Sequence, residues 1–180
     1  MRITINGGHY PGEDSGAVGV TGLQEAVVAR DIMQRVFGYL RNVGYDVLKV
    51  QENELYQITD ASNAFGADLF VSIHCNAAAN TEAKGTETWY CNGSVGGERL
   101  ATYIQSQIIN AIGTVDRGIK NATPHVNGLY VLSNTDAVAV LVETAFISNA
   151  DDEALLADES KRNQFAAAIA RGITDYVGGI

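Results

Sequence analysis

VAVLV, residues 138–142, is an uninterrupted apolar run that ends directly on Glu143, and ADLFVSI, residues 67–73, ends in the same way on His74. Short apolar runs rich in branched residues are typical of strands that are buried in a parallel sheet. In an open α/β sheet, ligands bind in the crevice outside the carboxyl ends of such strands. We therefore expect Glu143 and His74 to face one crevice.

A third run and a helix extend this candidate site. Residues 1–6 (MRITIN) are typical of another strand and lead through two glycines to His9, and Glu25 opens the first long helical pattern. The chain has three histidines, and two of them follow these strands. Two histidines with two glutamates match the stoichiometry of a hydrolytic zinc site, in which three side chains bind the metal and a fourth acts as general base.

Size and composition indicate one globular domain, residues 1–180. The chain is 46% hydrophobic and 18% charged, as is ordinary for a globular protein. The net charge of −9, without a cluster of lysines and arginines, argues against a nucleic-acid partner. No run approaches the ~20 apolar residues of a membrane span. The start, MRITINGG, lacks the features of a signal peptide.

Strand-type runs alternate with helical patterns along the chain, which predicts a layered α/β domain of about six strands with helices on both faces. The expected strands are 2–6, 45–50, 67–73, 86–91, 128–132 and 138–142. The expected helices are 21–42, 54–65, 96–112, a short segment within 149–158, and 160–177.

The first helix carries a capping-box pattern, with Thr21 at the N-cap and Gln24 three residues later. This places Glu25 in the first turn, where an acidic side chain also stabilises the helix dipole without binding any ligand. Glu143 has no such alternative role. A carboxylate that follows a buried strand is costly unless it has a partner or faces a crevice.

The two histidines also have simple structural alternatives. His9 lies in a glycine-rich loop where it can be exposed, and His74 can be an ordinary residue at the end of a strand. Cys75 points to the face opposite His74, which argues against a Cys–His catalytic pair. A disulfide between Cys75 and Cys91 is left open, although two free thiols are expected. The spacing of His9, Glu25 and His74 is looser than a zincin or zinc-finger pattern.

The chain resembles the zinc-dependent N-acetylmuramoyl-L-alanine amidases of the type 3 family. The resemblance covers residues 3 to 176, nearly the whole chain. It rests on the ordered segments GGHYPGEDSGAVG, LQEAVVARDI, ADLFVSIHCNAA, GTETWY, RGIK and AVLVETAFISN. Within them, SIHCNA and LVETAFISN are highly specific. The first two segments support the resemblance because they occur in the expected order.

The resemblance implies a single Zn²⁺ held by His9, Glu25 and His74, with a water completing the site, and Glu143 as the catalytic glutamate. The implied substrate is peptidoglycan or a muropeptide, cut at the amide that joins the lactyl group of N-acetylmuramic acid to L-alanine. The implied fold is a twisted, mostly parallel six-stranded sheet with helices around it. We expect a monomer that acts at the cell wall, as a phage endolysin, a sporulation or germination amidase, or an autolysin.

The chain departs from the family pattern at two positions. Ile58 stands where the family often has an arginine, and Val138 stands where it commonly has a proline. The missing arginine can change packing or a substrate contact. Asn76, just beyond His74, and His125, after the RGIK segment, are candidate substrate contacts, although an exposed loop position is the simpler interpretation of His125.

Two other functions remain open at this point. One is an inactive relative that binds wall fragments without cutting them, against which the presence of all four expected residues argues. The other is a zinc peptidase that cuts within the stem peptide, which the masses of the products would reveal. A nucleotide-binding domain is least supported, because no GxGxxG or P-loop stands at a strand-to-helix turn.

Overall fold

A six-stranded sheet forms the centre of the structure, a computed structural model that describes residues 1–124, 126 and 129–179. The strands are β1 (Arg2–Gly7), β2 (Asp46–Val50), β3 (Leu69–Asn76), β4 (Thr86–Cys91), β5 (Asp116–Ala122) and β6 (Val138–Phe146). The helices are α1 (Glu25–Val43), α2 (Leu55–Phe65), α3 (Val95–Ile112), α4 (Tyr130–Ser133), α5 (Ala150–Ala157) and α6 (Glu159–Gly178). None of the described helices has the length and apolar character needed to cross a membrane.

The strands lie side by side in the order β2-β1-β3-β6-β4-β5. The first four are parallel to one another, whereas β4 pairs antiparallel with β6 and parallel with β5. Strands that are covered on both faces need apolar side chains on both, which is why β3 and β6 contain continuous apolar runs. The mostly parallel α/β sheet of six strands that we predicted is confirmed.

Helices cover both faces of this sheet. On one face α1, α3 and α6 pack together, and Ile32, Ile104 and Ile169 from these helices are fully buried in a large apolar cluster. On the other face α2 and α4 contribute Ile58 and Val131 to a smaller cluster. The smaller cover on this second face leaves room for a cleft.

The first helix begins later than predicted, at Glu25. Gln24 is its N-cap and makes no side-chain cap hydrogen bond, so the predicted capping box was wrong. The backbone N–H and the hydroxyl of Thr21 instead donate to the buried carboxylate of Glu153, at 3.0 and 2.6 Å. The Thr21 side chain that was predicted to cap the helix is thus engaged in a tertiary contact. The helix ends as expected at Gly44, in the left-handed conformation with φ 101°.

The strand predicted at 128–132 was wrong in the part of it that the structure describes. Tyr130–Ser133 forms the helical turn α4, which buries Val131 and Leu132. A short apolar run does not by itself distinguish a strand from a buried helical turn. The strand that completes the sheet is β5, whose sequence DRGIKNA is largely polar and contains Gly118 at φ 74°, so no alternating pattern marks it.

Strands β3 and β6 both run further than predicted. β3 continues past His74 to Asn76, and β6 continues past Glu143 to Phe146, so these two site residues lie within strands and not at their ends. The pairing between the two strands is irregular between His74 and Asn76. The backbone of Asn76 nevertheless accepts a hydrogen bond from Ile147 at 2.8 Å, which keeps the strands together beyond the irregularity.

The close approach of α3 and α6 requires a glycine at position 172. A Cβ added to Gly172 would lie 2.6 Å from Cα of Ile104, whereas one added to Gly38 in α1 would have no heavy atom within 4 Å. We predict that Gly172→Ala lowers the free energy of unfolding by about 1–3 kcal/mol, because overpacking outweighs the better helix propensity of alanine. Urea denaturation measures the change.

Gly38→Ala is the matched control for this prediction. It makes the same chemical change in a helix without a clash, and it should raise the free energy of unfolding by roughly 0.5–1 kcal/mol. A Gly172→Ala protein as stable as the Gly38→Ala protein would contradict the packing argument.

Candidate metal and catalytic site

The loop after β1 brings His9 beside His74. The N–H of Gly8 donates to the carbonyl of Ile73 at 2.8 Å, which extends the pairing of β1 and β3 to the residue before His9. A side chain at Gly8 would collide with the His74 ring. His9 has φ 58°, an uncommon left-handed conformation for a residue with a side chain. The result is two imidazole rings whose centroids lie 5.2 Å apart.

Glu25, the first residue of α1, lies between the two imidazoles. Its Oε2 is 3.2 Å from Nε2 of His9, and its Oε1 is 2.9 Å from Nδ1 of His74. The ligand atoms of the three residues all lie within 4.8 Å of one another. In the part of the chain that the structure describes, this is the only cluster of three or more potential metal ligands.

Backbone groups hold the Glu25 carboxylate in place. Glu25 is 3% exposed, and the N–H groups of Ala17 and Cys75 donate to its two oxygens at 2.9 and 3.0 Å. Burial alone would raise the pKa of Glu25, but hydrogen bonds from His74 and His9 outweigh burial and hold this pKa well below its usual range. Glu25 is therefore ionised at neutral pH.

Asp14 fixes the outer side of His9. Its Oδ2 lies 2.6 Å from Nδ1 of His9, and its Oδ1 accepts the N–H of Gly16 at 2.9 Å. A Cβ at Gly16 would lie 2.5 Å from Cδ2 of His9. The hydrogen bond to Glu25, together with that to Asp14, raises the pKa of His9 to about 9 against the opposing effect of burial. Sequence analysis missed Asp14, whose only signal was an acidic residue close to His9 in a glycine-rich loop.

Glu143 lies on β6 directly beside His74 on β3. Leu141, two residues earlier, belongs to the apolar cluster beneath α2 and α4, so the site occupies that face of the sheet. Oε2 of Glu143 is buried and has no hydrogen-bond partner among the described residues. Burial, with the negative charges of Glu25 and Glu87 adding to it, raises the pKa of Glu143 to about 7.

This donor set fits a zinc ion. Two imidazoles and a carboxylate are ligands that Zn²⁺ takes in hydrolytic sites, where a fourth position stays open to water or substrate. Oε2 of Glu143, which has no hydrogen-bond partner among the described residues, is a buried acceptor that a water or substrate at this position would satisfy. The arrangement can therefore hold the ion and place a proton acceptor beside it. The roles of His9, Glu25 and His74 as ligands remain predictions.

Glu87, on β4 directly opposite Glu143, is a second buried carboxylate that sequence analysis missed. It is 5% exposed and accepts hydrogen bonds from Asn76 Nδ2 at 3.0 Å, Trp89 Nε1 at 3.1 Å and Arg117 Nε at 2.8 Å. These donors satisfy a charge that would otherwise be costly to bury. The segments GTETWY and RGIK, which carried the resemblance, supply most of this network.

The remaining candidate residues have mixed outcomes. The amide of Asn76 donates to Glu87, and its oxygen accepts the N–H of Ala77 at 2.8 Å, so its role as a substrate contact remains a prediction. His125 lies outside the described residues. Cys75 and Cys91 are free thiols, as expected.

A cavity of about 290 Å³ opens beside the cluster, and His9 and His74 are among the residues that line it. Its described lining comes from β1, β3, β6, α2, α4 and the adjoining loops, and none comes from β4 or β5. The described part of the lining includes the carboxylates Asp14 and Glu52 and contains no lysine or arginine. Ile58, at the position where the resemblance led us to expect an arginine, forms part of its apolar wall and is 2% exposed.

Comparisons with known proteins show the family of this chain. A family model described as N-acetylmuramoyl-L-alanine amidase matches residues 3–175. The amidase LytC of Bacillus subtilis is 37% identical over 97% of this chain, which spans 35% of LytC. The endolysin of Bacillus phage SPP1 is 34% identical over 97% of this chain, which spans 65% of the endolysin.

Solved structures show the same architecture. The amidase AmiC2 of Nostoc punctiforme superposes with a TM-score of 0.90 at 32% identity, over 99% of this chain and 97% of that one. The catalytic domain of the amidase CwlV from Bacillus (Paenibacillus) polymyxa gives a TM-score of 0.88 at 31% identity, over 98% of each chain. The matched sequence and the shared fold lead to one conclusion: the chain belongs to the N-acetylmuramoyl-L-alanine amidase family of peptidoglycan hydrolases.

Proposed function

We propose that this chain is the catalytic domain of a zinc-dependent amidase that cleaves the bond between the lactyl group of N-acetylmuramic acid and L-alanine of the stem peptide. One observation carries the proposal. The cluster of His9, Glu25 and His74 lies beside Glu143, whose buried Oε2 has no hydrogen-bond partner among the described residues. A metal with an adjacent base supplies what hydrolysis of an unactivated amide requires. The domain would act at the cell wall as a monomer, because one chain contains the whole site.

His9, Glu25 and His74 would hold the Zn²⁺, and Asp14 would fix the orientation and tautomer of His9 through Nδ1. When bound, the ion supplies Lewis-acid chemistry: it lowers the pKa of water toward ~7 and polarises a carbonyl oxygen. Because Glu25 is ionised, it would offset part of the charge of the cation and so reduce the cost of burying that charge.

Glu143 would move the proton of the reaction. It accepts a proton from water as the new C–O bond forms at the lactyl carbonyl. It then gives this proton to the nitrogen as the C–N bond breaks, which frees the amine of L-alanine and leaves a lactyl carboxylate. A group with a pKa of about 7 can both accept and donate a proton at neutral pH.

We predict that Glu143→Gln lowers kcat by a factor of roughly 10²–10⁴, because the amide cannot carry the proton. Zinc binding should be retained, since Glu143 is not in the proposed ligand set. Release of stem peptides from muropeptides, measured by mass spectrometry, gives the activity, and atomic absorption gives the zinc content.

Glu98→Gln is the matched control for this experiment, since it makes the same change at an exposed position on α3. It should leave activity unchanged. A Glu143→Gln protein that binds zinc and keeps full activity would exclude the proposed role of Glu143. If the wild type binds zinc without releasing peptides, it is a binder of wall fragments; products cut inside the stem peptide would indicate a peptidase.

We further predict that Asp14→Asn weakens zinc binding by about 10–100-fold, because the carboxylate that orients His9 and increases its basicity is lost. Competition with a chelator of known affinity measures the change.

Glu13→Gln removes the same charge at the neighbouring exposed position and should bind zinc as the wild type does. Equal affinities of the Asp14→Asn and Glu13→Gln proteins would show that Asp14 does not support the metal site.

A further inference from the structure

The side chains that lie in register with Glu143 across the sheet lead to an arginine. His74 on β3, Glu143 on β6 and Glu87 on β4 are register partners on three adjacent strands, and Glu87 accepts a hydrogen bond from Arg117 on β5. Adjacent strands lie about 5 Å apart, so Arg117 begins roughly 10 Å from Glu143. The cavity lies at the opposite end of this row, where His74 lines it and no described residue of β4 or β5 does.

The guanidinium of Arg117 is held in one orientation. Its Nε donates to Oε2 of Glu87 at 2.8 Å, and its Cζ lies 4.7 Å from the ring centroid of Phe146 on β6. The side chain therefore leans back across β4 toward the strand that carries Glu143. Because Glu87 is itself buried and receives two other hydrogen bonds, it provides a fixed support.

The outer part of this guanidinium has no hydrogen-bond partner among the residues that the structure describes. The side chain of Arg117 is 37% exposed, and within the described part of the chain no acceptor bonds to its two terminal nitrogens. A planar guanidinium with ordered, unused donors is suited to bind a carboxylate through charge-assisted hydrogen bonds. The single bond from Nε already pairs the charge of Arg117 with that of Glu87. This ion pair therefore gives no role to the two terminal nitrogens.

The substrate offers a carboxylate at a suitable distance. In a stem peptide, the γ-linked glutamyl residue after L-alanine carries an α-carboxyl group that is either free or amidated. Five bonds separate the scissile nitrogen from the carbon of that group, roughly 6 Å in an extended chain. We propose, on the basis of the proposed function above, that Arg117 binds this carboxylate and so directs the stem peptide across β4 toward β5.

The cavity is the less suitable place for this carboxylate. Asp14 and Glu52 are part of its described lining, and no lysine or arginine is, whereas the histidines in that lining belong to the proposed metal site. A carboxylate placed beside Asp14 and Glu52 would be repelled by them and would meet no lysine or arginine in the described lining. The uncharged muramoyl side of the substrate fits this apolar and acidic cavity better, with Ile58 in its wall.

Two matched substrates test the proposal. Both are N-acetylmuramoyl dipeptides with L-alanine and a glutamyl residue whose γ-carboxyl is blocked as a methylamide; one has a free α-carboxylate and the other the α-carboxamide. The wild type should cleave the acid with a kcat/KM roughly 10–100-fold above that of the amide, mainly through KM. Arg117→Gln should lose this preference and cleave the amide at the wild-type rate within about threefold.

Lys120→Gln is the matched control, because Lys120 is a second cation on β5, paired in register with Trp89. It should keep the wild-type preference, and Arg117→Lys should keep part of it, since a lysine retains the charge without the planar fork. The double variant Glu87→Gln with Arg117→Gln removes both partners of the ion pair and should also show no preference, which separates lost recognition from the cost of an unpaired Glu87.

The outcomes differ clearly. Equal loss on both substrates in Arg117→Gln and in the double variant would overturn the proposal, because it would show that Arg117 only supports the fold. A wild type without preference, or a preference lost in Lys120→Gln, would overturn it as well. If the wild type cleaved neither substrate at the muramoyl amide, the proposed function would fail, whereas cleavage of both at equal rates would contradict only the assignment of Arg117.

Discussion

The buried carboxylate of Glu25 is the contact on which the rest of the site depends. It joins the start of α1 to β3 through Cys75 and His74, and it joins both to the glycine-rich loop through Ala17 and His9. A charged group at 3% exposure is tolerated only because four donors surround it. The same carboxylate therefore closes the loop onto the sheet and places two imidazoles within reach of one metal ion.

The sheet supplies the second constraint, because its register decides which side chains share the site. His74, Glu143 and Glu87 lie in one row although they come from distant parts of the sequence. The antiparallel pairing of β4 with β6 places Glu87 directly opposite Glu143. One row of the sheet thus carries a proposed ligand, a proposed proton carrier and the support of a proposed substrate anchor.

The sequence predicted those parts whose signal is local. The runs at 67–73 and 138–142 are apolar because both faces of β3 and β6 are covered, so the central strands and the α/β class were readable. The edge strand β5 was not, since its polar residues need no core. Asp14 and Glu87 were missed because their importance comes from contacts formed only in the folded chain. The assignment of a metal and a scissile bond rested on ordered family motifs, since spacing alone did not specify them.

The central claim is that a metal held by His9, Glu25 and His74 drives cleavage of the muramoyl amide. The most direct test is mass spectrometry of a defined muropeptide after treatment with the purified domain, with and without chelation and readdition of one equivalent of Zn²⁺. The account predicts an intact stem peptide with a free L-alanine amine, lost on chelation and restored by zinc. Cleavage at another bond, or cleavage that persists after the metal is removed, would contradict it.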